Sequence, residues 1–155
     1  MSRMRRTPQS TVEGLQAAVA AEHAAIYGYG VVGARLRGGQ QQTAQDVWTA
    51  HRARRDRLIG FLTALGAKPV PASAAYRLPV QVTSARTAAQ LAAALEDGVL
   101  TAYVGLAGAD DPKLRRFAAQ AMQEAMTRGV RWRGTAPAAA FPGLAPAALE
   151  PRPGQ

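Results

Sequence analysis

Cysteine is absent from this chain, so disulfides, thiolate metal sites and a cysteine nucleophile are excluded, and the redox compartment is left undetermined. Aromatic residues make up only 6%. Lysine is nearly missing too: of 19 Lys+Arg only Lys68 and Lys113 are lysine, against ten Asp+Glu, for a formal charge of +9. No apolar run approaches the roughly 20 residues of a membrane span. After the basic start Met1–Arg6, the residues Glu13, Gln16, Glu22 and His23 interrupt any signal-like stretch. A cytoplasmic protein without a membrane partner is the expectation. No convincing strand is present, hence no strand followed by a glycine-rich phosphate loop. Ser2, Ser10, Ser73 and Ser84 fall in tails, caps or loops, which gives serine–histidine catalysis no support.

What the chain has is alanine and leucine, at a length of 155 residues suited to one all-α domain with a real core. Its clearest signal runs from Val12 to Leu36. The positions Val12, Leu15, Val19, Glu22, Ile26, Tyr29, Gly33 and Leu36 alternate steps of four and three, the seam of a helix packed lengthwise on other helices. Glu22 is the misfit in that seam. A carboxylate buried there needs a partner.

Residues 1–9 read as a flexible basic tail. The bundle is expected over 10–134. Helix 1 runs from a Ser10–Glu13 capping box to Arg37, with Gly38-Gly39 as its stop. Gln40–Gln42 link it to helix 2, from about Thr43 to Leu65, with Gly66 as the stop. Pro69, Pro71 and Pro79 keep 67–83 irregular. Helix 3 spans Ser84 to Ala107. Helix 4 follows an Asp111 cap and Pro112, and ends near Arg133 before Gly134. The proline-rich tail 135–155 is expected to pack partly on the bundle through Phe141 and Leu144. The outer links are short and the middle one, reaching roughly 55 Å when extended, can travel the length of a bundle. Short, long, short is the connection order of a ferritin-like four-helix bundle with a long crossover between helices 2 and 3. Two hairpins swapped between chains of a dimer would keep the same local contacts.

Each helix carries a polar residue near its middle: Glu22, His51, Glu96 and Glu124. Ferritin-like di-iron proteins place their ligands at that depth, one Glu from each of two helices and Glu-x-x-His from the other two. The phrases AEHAAIYGYG and HRARRD, AYRLP in the crossover, a mid-helix LED and a late RWRG…FPGL resemble a family of actinobacterial ferritin-like domains of unknown function. The likeness spans about residues 11–145. It implies a ferritin-like fold and no assigned activity.

The di-iron pattern is broken at two positions, where Trp48 stands for the Glu before His51 and Thr127 for the His after Glu124. The expectation is a degenerate site with no cofactor. Its buried polar layer would comprise Glu22, His51, Arg55, Glu96, Tyr103 and Glu124, with Arg54 or Arg55 neutralising Glu22 and Tyr27 or Tyr103 shielding it. The alternative is a metal-dependent oxidase or metal-handling protein holding Fe, Mn or Zn on Glu22, His51, Glu96 and Glu124. Arg35 and Arg37 close helix 1, and Arg128, Arg131 and Arg133 close helix 4 at the same end. With Arg3, Arg5 and Arg6 they form a candidate anion patch for RNA or an acidic protein. A binding or structural role, non-catalytic, with a possible homodimer, is the leading reading. A basic nucleic-acid-associated protein is the third.

Overall fold

The computed structural model describes residues 8–134. They form four helices: α1 (Pro8–Arg35), α2 (Gly38–Ala64), α3 (Ala85–Ala107) and α4 (Pro112–Arg133). The basic N-terminal tail and the Pro-rich tail with Phe141 and Leu144 lie outside the described residues.

Two helix starts differ from the sequence reading. α1 begins at Pro8, because proline is tolerated in the first turn, and Ser10 therefore lies inside the helix. Gly38 opens α2 instead of closing α1. Its φ of +58° makes the sharp reversal after Arg37, so the link shrinks to Leu36-Arg37 and Gln40–Gln42 become helical. The later signals hold their positions. Ser84 caps α3 by accepting from the Thr87 backbone N–H, and Asp111 caps α4 by accepting from that of Lys113. Gly134 closes α4 in the left-handed conformation.

α1 packs on α2 and on α3, and α3 packs on α4. Small residues allow close approach between α1 and α3, where Gly14 lies against Leu106 and Gly105, and Gly28 against Leu95. Those two contacts make the pair antiparallel. The segment from Leu65 to Ser84 climbs along α1. Gln16 clasps it at the bottom, donating to the Lys68 carbonyl and accepting from the Val70 N–H, both at 2.8 Å. His23 Nε2 donates to the Val70 carbonyl at 3.1 Å, Tyr27 packs on Tyr76, and Leu78, Val80 and Val82 reach the cluster around Tyr29 and Leu36. The middle link thus runs the length of the bundle, and the connection order is short, long, short.

The core has two halves. One gathers Leu15, Val19, Leu58, Leu62, Leu100, Tyr103 and Leu106 with the alanines of α4. The other gathers Tyr29, Val32, Leu36, Val47, Leu91 and Leu95. Each fully buried leucine contributes roughly 1.5–3 kcal/mol. The buried stripe of α1 includes Leu15, Ala18, Val19, Glu22, Ala25, Tyr29 and Val32 and continues to Leu36 in the link, while Ile26 and Gly33 stay partly exposed. Among the described residues no helix is long and apolar enough to cross a membrane.

Candidate functional site

Between the two halves of the core lies a polar layer. The seam of α1 brings Glu22 there, α2 brings His51 and α3 brings Glu96, and all three side chains are fully buried. His51 stands between the two carboxylates. Its Nδ1 donates to Glu22 Oε2 at 2.5 Å and its Nε2 to Glu96 Oε1 at 3.0 Å. With both carboxylates ionised, two acceptors on one ring call for a proton on each nitrogen, which makes the ring an imidazolium. Tyr103 OH donates to Glu22 Oε1 at 2.7 Å, and Tyr29 OH donates to Glu96 Oε1 at 2.7 Å. The chain ends on α4, where Trp132 Nε1 donates to Tyr29 OH at 3.0 Å.

The electrostatics agree with that proton count. Burial alone would push the imidazolium pKa down, but the hydrogen bonds and charges of Glu22 and Glu96 outweigh it and raise His51 from 6.5 to about 9. For the tyrosines burial acts first, and the adjacent carboxylates act in the same direction: Glu96 raises Tyr29 and Glu22 raises Tyr103. Both hydroxyls therefore stay protonated and stay donors. Glu96 Oε2 is buried and has no hydrogen-bond partner among the described residues.

The fourth helix does not complete the layer as the sequence suggested. Glu124 is about a third exposed and turns to arginines, accepting from Arg54 at 2.6 Å and from Arg128 at 3.3 Å. Burial nudges its carboxyl upward, but the Arg54 hydrogen bond and charge, with Arg128, hold it below the ordinary value. Arg55 also lies outside the layer. It pairs with its exposed neighbour Asp56 at 2.9 Å. Among the described residues no arginine pairs with Glu22; histidine and tyrosine satisfy it. Tyr27 is exposed on the crossover side and does not shield it.

Of the six residues expected in the layer, Glu22, His51, Glu96 and Tyr103 come together, while Arg55 and Glu124 do not. Tyr29 and Trp132 belong to it and were missed. Tyr29 had a signal, since it lies two turns after Glu22 on the same seam. Trp132 had none, because its reach to Tyr29 depends on how α4 sits against the bundle. His23, beside Glu22 on α1, is buried and anchors the crossover.

The arginines expected as a patch divide. Arg128 is engaged by Glu124, and Arg133 by Asp97 at 2.5 Å. Arg35, Arg37 and Arg131 are exposed. Arg128 and Arg131 line a cleft with Thr43 and Trp132, and among the described residues that line it Arg35 and Arg37 are not found. Trp48 lies under the Arg52 guanidinium, and the Thr127 hydroxyl donates to the Gln123 carbonyl one turn back.

These features define an all-α four-helix bundle with a long crossover and a buried Glu–His–Glu layer. The chain belongs to the family described as a domain of unknown function, DUF4439, whose model matches residues 14–146. It is also similar to a conserved hypothetical protein, rv2844, from Mycobacterium tuberculosis, known from a crystal structure. The two are 37% identical with a TM-score of 0.80, over 83% of this chain and 98% of that one. No curated protein matches the chain.

Proposed function

We propose that this protein is a non-catalytic, binding or structural bundle of ferritin-like descent, in which a protonated histidine has replaced a di-iron centre. The observation that carries the reading is His51 itself. Its two ring nitrogens face Glu22 and Glu96, and as an imidazolium it supplies the positive charge that a bridged metal pair supplies in the di-iron bundles. The donor set does not fit a di-metal centre. Both ring nitrogens are spent on carboxylates, Glu124 serves two arginines, and Trp48 and Thr127 offer no ligand in place of Glu and His. Tyrosine donors and two apolar clusters then seal the layer, which suits a rigid scaffold better than a site that must open to substrate.

Reconstitution with Fe(II), Mn(II) or Zn(II), followed by metal analysis of the desalted protein, tests this. The expected result is no stoichiometric metal, together with two N–H protons on the His51 ring at neutral pH by nitrogen NMR. A stoichiometric ion that Glu22→Ala abolishes, or a singly protonated His51, would overturn the reading.

A further inference from the structure

α2 and α4 stand side by side, yet among the described residues they do not close on each other as the other neighbouring helix pairs do. Beside the C-terminal half of α2 the opening forms a cleft of about 450 Å³, within the range of small-molecule sites. α2 lines it with Arg54, Arg57 and Phe61, and α4 with Lys113, Arg116 and Phe117. Among the described residues no carboxylate lines it. Arg54 is held by Glu124, but Arg57, Lys113 and Arg116 have no acidic partner among the described residues.

Two aromatic rings form part of its wall. Phe61 and Phe117 meet edge to face at 5.3 Å. The Arg57 guanidinium stands 5.7 Å from the Phe61 ring centre and 5.5 Å from that of Phe117, with Arg54 at 5.9 Å from Phe117. Planar guanidinium groups held this way present flat stacking faces as well as forked donors. A solvated basic surface would not need the aromatic wall or the cleft. A second copy of the same face is disfavoured, because it would set these cations against each other.

We propose that this cleft binds a phosphate-bearing anion with a flat apolar body, by chemical class a nucleoside phosphate, either free or as part of a strand. The phosphates would take Arg57, Arg116 and Lys113, and the base would lie along Phe61, Phe117 and the guanidinium planes. This deepens the binding role proposed above and rests on that role alone, not on the state of His51.

Calorimetric titration at low salt with ATP, inorganic tripolyphosphate and a short oligoadenylate tests it. One ATP site per chain is expected, with tripolyphosphate weaker. A tighter oligoadenylate would assign the nucleotide to a strand, and an equal or weaker one to free nucleotide. Arg57→Gln with Arg116→Gln should weaken ATP about tenfold or more, since two charge-assisted hydrogen bonds are lost. Lys113→Gln, on the exposed first turn of α4, gives a second variant if the double one unfolds. Arg86→Gln, on α3 outside the cleft, should leave the affinity unchanged. Absence of ATP binding, equal affinity for tripolyphosphate, or an equal loss in Arg86→Gln would overturn the proposal. None of these results moves the His51 ring resonances, so failure of the cleft and failure of the histidine reading are separable.

Discussion

His51 holds two carboxylates apart and together at once, and the stability of the fold inherits its titration. Its pKa in the folded protein is raised from 6.5 to about 9. The stabilisation is therefore complete below the unfolded value and is lost as pH climbs through the folded one. Unfolding by urea should show a loss on the order of 3 kcal/mol between about pH 6 and about pH 9.5. In His51→Gln that slope should flatten; an unchanged slope would mean the charge lies elsewhere. Tyr103 contributes a single donor to this layer. Tyr103→Phe leaves Glu22 Oε1 buried without its hydrogen bond, at an expected cost of about 1–3 kcal/mol. Chemical denaturation measures it, and a neutral substitution would show that Glu22 can be satisfied in another way.

At the scale of helices, the α1–α3 pair depends on an absent side chain. A Cβ at Gly28 would lie 2.4 Å from Leu95 Cδ1 and 2.8 Å from Cδ2, whereas one at Gly30 would meet nothing within 4 Å. Leu95 is buried and has little room to retreat. Gly28→Ala should destabilise by about 1–3 kcal/mol through overpacking. Gly30→Ala should stabilise by up to about 1 kcal/mol, because alanine is the better helix former. Opposite signs for two glycines two residues apart are readable as opposite shifts in melting temperature. The sequence showed the helix and its seam but not this difference. Steps of three and four could not tell Ile26 from Ala25, or Gly33 from Val32, since both candidates at each point lie within one residue of the same stripe. The choice was made by the facing helices.

At the scale of the whole molecule, the crossover is what converts two helix hairpins into this connection order. Gln16 fastens its lower end through two hydrogen bonds, and His23 through a third. Gln16→Ala should speed exchange of the Val70 amide by about tenfold or more while leaving the core amides of α1 and α3 unchanged. Hydrogen exchange by mass spectrometry reads both. An unchanged Val70 would mean that proline stiffness and the packing of Leu78, Val80 and Val82 hold the segment by themselves.

Local chemistry determined much of this protein in advance. The four helices, the Ser84 and Asp111 caps, the irregular proline-bearing link and the mid-helix depth of Glu22, His51 and Glu96 all follow from residue type and spacing, which act over a turn or two of chain. The partners of those polar residues were beyond that range. Arg54 and not Arg55 meets Glu124, Glu124 leaves the layer, and Tyr29 and Trp132 enter it. A rotation of about 100° separates adjacent helix positions, so the pairing depends on how each helix is turned against the next. That angle is set by packing of the apolar faces, and only the tertiary structure decides which neighbour a buried charge finds.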